Sequence, residues 1–161
     1  MIRILFSAAL AGILALSAPA FAHDGTTHLG PINISQPFSR ATLPNAPVGG
    51  GFFTIENTGA EADRLVSVTS PASPDVQIHE MAMQGDVMKM RKLSDGLEIG
   101  PGETVTLSPG GLHLMFMGIT QRFVEGETIP VTLTFEKAGT VELELPVLSP
   151  AADAPADHAG H

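Results

Sequence analysis

Apolar and polar positions alternate in short runs along most of this chain. Ile32-Asn33-Ile34-Ser35 alternates, and Asp63–Thr69 (DRLVSVT) alternates again. A period of two is that of a strand with one buried face. Phe52–Asn57, Val76–Met83, Val87–Leu93 and Leu97–Ile99 read as further strands. So do Thr104–Leu107, Leu112–Ile119, Thr128–Phe135 and Val141–Val147. The breaks between them are turn-forming residues: Gly49-Gly50-Gly51, Ser70-Pro71, Gly85-Asp86, Gly100-Pro101-Gly102 and Lys137-Ala138-Gly139. Pro37, Pro44 and Pro47 mark a loop around Arg40-Ala41-Thr42. No segment carries a long apolar period of 3.6, so no helix is expected. Short strands at regular spacing argue for an all-β domain, an antiparallel β-sandwich or Greek-key barrel. Its expected core holds Phe38, Phe52, Ile55, Leu65, Val105, Leu107, Leu114, Phe116, Val131, Leu133, Phe135, Leu143 and Leu145.

The two ends depart from this pattern. Arg3 precedes an apolar run from Ile4 to Leu16 that only Ser7 interrupts, and Ala20-Phe21-Ala22 follows. That is the layout of a secretory signal peptide, and the run is short for a bilayer span of about 20 residues. Residues 1–22 are therefore expected to be removed, leaving His23 at the new N-terminus. Residues 23–30 (HDGTTHLG) read as a flexible, His-containing lead, residues 31–148 as one β domain, and residues 149–161 as a disordered tail.

Composition excludes several functions. The formal net charge is −9, which leaves no basic patch to neutralise nucleic-acid phosphates. Cysteine is absent, so an exported form has no disulfides and its core must suffice. The same absence removes thiol nucleophiles, thiolate zinc sites and the thiolate-ligated blue-copper site of electron-transfer proteins.

One stretch, His79–Met117, concentrates a particular chemistry. Apart from Met1 it holds every methionine of the chain: Met81, Met83, Met88, Met90, Met115 and Met117. It also holds the two histidines that lie away from the ends, His79 and His113. Methionine used only as core filler would be scattered. With Gly85-Asp86 at the centre of a hairpin, Met83 faces Met88, Met81 faces Met90 and His79 faces Lys92. Side chains alternate along a strand and paired residues share a face. His79 and the four hairpin methionines therefore share one side of the sheet. By the same rule His113, Met115 and Met117 share a face, and Leu112, Leu114 and Phe116 take the other. Thioether sulfur is a soft, neutral ligand that suits Cu(I), and imidazole suits copper as well as zinc. The set points to Cu(I), with Met81 and Met90 equally placed to serve.

His79-Glu80-Met81, Met88-Lys89-Met90 and Pro109-Gly110-Gly111-Leu112-His113-Leu114-Met115 resemble the signature of the PCuAC family. These are periplasmic copper chaperones implicated in loading the copper centres of cytochrome c oxidase. The resemblance runs from Ile32 to Val147 and includes Thr134–Gly139. The family pattern is His, ten residues, Met, twenty-one residues, His-x-Met. Here ten residues separate His79 from Met90, but twenty-two separate Met90 from His113. The extra residue is expected in a turn, where insertion is cheap. The resemblance implies a cupredoxin-like Greek-key β-barrel or sandwich in which His79, Met90, His113 and Met115 hold Cu(I). It implies metal handover rather than catalysis, to an oxidase subunit or a thiol-bearing copper chaperone. Met81, Met83, Met88 and Met117 are then expected to shield the site and to relay incoming metal.

The ends add His23, His28, His158 and His161. A free α-amine beside the His23 imidazole and further nitrogens from the tail make a harder donor set, which favours Cu(II). The expectation is one Cu(I) site in the β domain and a second, Cu(II), site at the ends. Other readings of the chain are a copper-storage or copper-resistance protein without an oxidase role, a copper oxygenase built on His23, and a passive secreted β-sandwich.

Overall fold

The computed structural model describes residues 25–155. The expected signal segment and the ends bearing His23, His158 and His161 lie outside those residues. Eleven strands form among the described residues. They begin with β1 (Thr27–Leu29), β2 (Ile32–Arg40), β3 (Val48–Asn57) and β4 (Asp63–Thr69). The hairpin β5 (Asp75–Gln84) and β6 (Val87–Lys92) follows, then β7 (Leu97–Ile99), β8 (Thr104–Thr106) and β9 (His113–Met117). The chain closes with β10 (Thr128–Phe135) and β11 (Gly139–Leu148).

The strands form two halves. One has the order β6-β5-β9-β3-β2, with β1 added to β2 and β8 to β3; the other is β11-β10-β4-β7. They join where β11 runs parallel to β2, Val147 opposite Ser39 and Leu148 opposite Arg40. A single core lies between them. Ile34, Ile55, Leu114 and Phe116 come from one half, and Leu65, Val131, Leu133 and Leu145 from the other. Each such side chain contributes about 1.5–3 kcal/mol on burial. This is the β-sandwich that the strand pattern predicts, of the cupredoxin-like kind that the family resemblance implied. Val105, expected in the core, is only half-buried at its edge.

The run Gly49-Gly50-Gly51, read from the sequence as a break before a strand, lies inside β3. Close packing requires it. A Cβ on Gly49 would stand 2.4 Å from the Phe123 ring, and one on Gly51 would stand 2.9 Å from both Leu145 and Phe116. β3 can approach the core this closely only without side chains there.

Pro37, read as a break, is absorbed into β2 at a bulge. Ser35 pairs with Thr54 and Phe38 with Phe52, so β2 spends one more residue than β3 between these pairs. Gln36 takes up the difference at φ 53°. A bulge is where a strand tolerates a residue without an N–H. The extra residue also reverses the alternation. Phe38 leaves the core side and stacks on Phe52, ring centroids 4.9 Å apart. Both rings are buried, yet they stand apart from the main core cluster. Their expected place in the core is thus corrected: they form a separate aromatic pair on the opposite face of the sheet.

The ends of the described region are also more ordered than their composition suggests. Within residues 23–30, Thr27–Leu29 pairs with Ile32–Ile34 across a turn at Gly30, and Leu29 packs on the core. After β11, Arg40 Nε donates to the Ala152 carbonyl at 2.6 Å, and its guanidinium pairs with Asp153 at 2.8 Å.

Candidate metal centre

The β5–β6 hairpin has the register that the Gly85-Asp86 turn predicts. Met83 pairs with Met88, Met81 with Met90 and His79 with Lys92. On its other side β5 pairs with β9, and His79 lies directly opposite His113. Since paired residues share a face, one row runs Lys92, His79, His113 across three strands. The neighbouring rows are Met90–Met81 on one side and Gln77–Met115–Gly50 on the other. This face is the one that the β2 bulge gives to Phe38, because Phe52 lies two residues along β3 from Gly50.

The two imidazoles approach edge to face, with centroids 5.6 Å apart and ring planes at 66°. Each is 9% exposed. His113 Nδ1 lies 2.8 Å from the Gly111 carbonyl, which can only accept, so Nδ1 carries the proton. Its Nε2 lone pair is left 3.2 Å from the Met90 sulfur. His79 Nε2 lies 2.8 Å from Gln77 Oε1, and its Nδ1 is buried without a partner. Burial, then His113 and Lys92, push His79 below its ordinary pKa of 6.5, with Asp75 opposing. The imidazole is therefore held neutral, the form that binds metal.

Of the four residues singled out by the resemblance, His79, His113 and Met90 stand together. Met115 is two residues along β9 from His113, and both line one cavity. Met81 sits behind Met90 in the ladder, and Met83 and Met88 lie out toward the hairpin tip. Met90, Met88 and Met83 are exposed. Met117 pairs with Asp75 and Val48, beyond the Met115 row. His28 is elsewhere. It bonds Asn33 Oδ1 at 2.6 Å, and Asn33 pairs with Glu56, six residues along β3 from Gly50. At about 3.3 Å per residue that is roughly 20 Å away. Among the described residues no three His, Cys, Asp or Glu side chains gather. The donors here are two imidazoles and surrounding thioethers, a soft set without carboxylate.

The cavity beside His113 and Met115 has a volume of about 330 Å³ and is also lined by Arg40, Gly50, Phe52 and Pro109. Arg40 lies 5.9 Å over the Phe52 ring and ties residues 152–153 to the cavity rim. Sequence reasoning missed this wall, because the bulge that turns Phe38 outward leaves no mark in the apolar pattern. It also missed Gln77 and Asp75. Their signal was present: they stand two and four residues before His79, on the same face. Outside the site, Glu80 pairs with Arg91 on the reverse of the hairpin, while Lys89 stays exposed.

A β-sandwich with two imidazoles and a thioether in contact on one sheet face presents a soft donor set there. The model of the family described as "Putative lipoprotein LpqE-like" matches residues 32–147. The chain belongs to that LpqE-like family. A relative named "Putative lipoprotein Lxx21020", from Leifsonia xyli subsp. xyli, is 29% identical over 151 residues, covering 90% of each chain. Among solved structures, the apo PCuAC domain of PmoF2 is 29% identical with a TM-score of 0.67, over 80% of this chain and 98% of that one. The copper-bound form of the same domain is 29% identical at a TM-score of 0.66, over 78% and 98%. The Cu(I)-bound solution structure of DR1885 from Deinococcus radiodurans, 22% identical at a TM-score of 0.61 over 86% and 87%, shares the fold.

Proposed function

We propose that this protein is an exported copper chaperone that binds Cu(I) through His79, Met90, His113 and Met115 and passes it on without catalysis. The observation that carries the reading is the contact of the His113 Nε2 lone pair with the Met90 sulfur, beside the unpartnered His79 Nδ1. The copper-bound PCuAC domain, alike in fold and 29% identical, supports copper as the cargo. Met81, Met83, Met88 and Met117 surround the four ligands with further thioethers. Exposure of Met83, Met88 and Met90 gives a partner access for ligand exchange. The recipient is an oxidase copper subunit or a thiol-bearing copper chaperone, and the cations Lys89 and Lys92, with Arg91 already paired to Glu80, steer an acidic partner to the hairpin.

Export by residues 1–22 places the protein in the periplasm. The Leifsonia relative is named a lipoprotein; the 161 residues here include no cysteine on which a thioether-linked lipid could be carried. His23, His28, His158 and His161 supply the nitrogen donors of a second, Cu(II), site, of which His28 is the one within the described residues.

Anaerobic Cu(I) titration of residues 23–161, with X-ray absorption to count sulfur against nitrogen ligands, tests the Cu(I) site. One equivalent bound by mixed sulfur and nitrogen is expected. Absence of Cu(I) binding overturns the proposal and leaves a passive β-sandwich. Tight binding with no transfer to any thiolate acceptor favours storage or resistance instead.

A further inference from the structure

His79 sits at the end of a short polar chain that the copper reading does not use. Gln77 Nε2 donates to Asp75 Oδ2 at 2.5 Å, and Gln77 Oε1 lies 2.8 Å from His79 Nε2. All three residues alternate along β5 on the ligand-bearing face. An ionised carboxylate only accepts, so Asp75 fixes which end of the Gln77 amide turns toward it. The amide oxygen is thereby aimed at His79, and an oxygen there can only accept. The His79 proton must then sit on Nε2, and the bare lone pair on Nδ1. Nδ1 is the buried side-chain polar atom without a partner among the described residues.

His113 is arranged in the opposite sense. The Gly111 carbonyl holds its proton on Nδ1 and frees Nε2. Two adjacent imidazoles on paired strands are thus set in opposite tautomers, one by backbone and one by a side-chain relay. Gln77 also occupies the ladder position opposite Met115, so the relay lies inside the ligand rows.

We propose that Gln77, oriented by Asp75, is a positioning residue that holds His79 with its proton on Nε2 and presents Nδ1 as the metal-binding atom. This rests on the copper reading for the identity of the cargo, but the tautomer itself is a property of the metal-free protein. Outer hydrogen-bond partners of metal-binding histidines fix the tautomer and ring orientation, and their loss costs roughly 10- to 100-fold in affinity.

The test is the pair of ring-nitrogen ¹⁵N shifts of His79, read in the metal-free protein and again with Cu(I). The parent is expected to show a protonated Nε2 and a bare Nδ1, with Cu(I) shifting Nδ1 while Nε2 keeps its proton. Gln77→Leu and Asp75→Asn should each give mixed tautomers, and Gln77→Leu should weaken Cu(I) by about 10- to 100-fold. Asp75→Asn combined with Gln77→Glu reverses the donor and acceptor between the two side chains but still offers His79 an acceptor oxygen. That pair should restore the parent tautomer, which a merely structural role for Gln77 does not foresee. A parent proton on Nδ1, or a tautomer unchanged in Gln77→Leu, overturns the proposal. A protein with the expected tautomer that binds no Cu(I) overturns the copper reading and, with it, Nδ1 as a metal ligand.

Discussion

His79 and His113 face one another across the β5–β9 ladder with their ring centroids 5.6 Å apart. Thirty-three residues lie between them in sequence. Two strand pairings, β5 with β6 and β5 with β9, bring them to one row and carry Met90 to the His113 ring. The ladder, rather than any loop, sets the site.

Removing His113 or Met115 should therefore damage binding without dismantling the fold. His113→Ala or Met115→Ala is expected to weaken Cu(I) by more than the roughly 10- to 100-fold that loss of an outer partner costs. Both side chains project from the face away from the main core, so the circular dichroism spectrum and a cooperative thermal transition should persist. Competition titration with a Cu(I) chelator reads the first effect. Parent-like affinity in both variants would remove these residues from the site.

Met90 and Met81 are neighbours in the ladder, and alternation alone could not choose between them. The 3.2 Å approach of the Met90 sulfur to His113 Nε2 is the ground on which we propose Met90. Met90→Leu is expected to lower the sulfur count in X-ray absorption by one, whereas Met81→Leu leaves it unchanged. The reverse result would make Met81 the ligand.

The depressed pKa of His79 gives the metal-free protein a pH dependence of known sign. Burial, then the neighbouring His113 and Lys92, favour the neutral ring in the folded state. Below the unfolded value of 6.5, the unfolded chain binds the proton first. The stability that His79 contributes is full above 6.5 and is lost as pH falls from there through the lowered folded value. The urea midpoint should fall over that window, and His79→Gln should flatten its slope. An equal slope in both proteins would assign the dependence to other groups.

Gly49 and Gly50 are adjacent yet face opposite sides of β3. A methyl at Gly49 would meet the buried Phe123 ring at 2.4 Å, while at Gly50 the nearest atom is Phe52 Cζ at 3.1 Å, beside the cavity. Gly49→Ala should cost about 1–3 kcal/mol, as overpacking does. Gly50→Ala should cost less and act on the cavity beside Met115 instead. Denaturant midpoints of the two variants decide between equal and unequal cost.

These contrasts show where the fold was legible in sequence. The hairpin register followed from Gly85-Asp86, because a tight turn leaves one pairing available and the methionines then align by arithmetic. The His79–His113 row was harder. Each strand's ligand face was readable, but the register of β5 against β9 joins segments separated by β6, β7 and β8, and no local signal fixes it. The β2 bulge was illegible for a related reason. Pro37 reads as a break, and only the paired strand shows that the chain continues past it with its alternation reversed. Arg40, Phe52 and the cavity wall therefore came from the structure alone. The choice of Met90 came from family resemblance, and the sulfur–imidazole contact supports it as a proposal.

The segment after β11 bears on how many coppers the proposed chaperone would carry. Arg40 holds Ala152 and Asp153 at the rim of the cavity whose wall includes His113 and Met115. Removing residues 150–161 would disturb that rim as well as the terminal histidines, so the truncation that isolates His158 and His161 is residues 156–161. With these six residues removed, Cu(I) stoichiometry and affinity should stay at the parent values. Cu(II) binding should weaken, because imidazole nitrogens of the harder set are gone while the thioethers remain. Arg40→Ala supplies the complementary arm. It frees residues 152–153 without deleting a nitrogen ligand, so Cu(II) stoichiometry should hold while Ser149–Pro155 lose amide protection in hydrogen exchange. Unchanged Cu(II) stoichiometry and affinity after the truncation would exclude His158 and His161 from a second site and leave this a carrier of a single Cu(I).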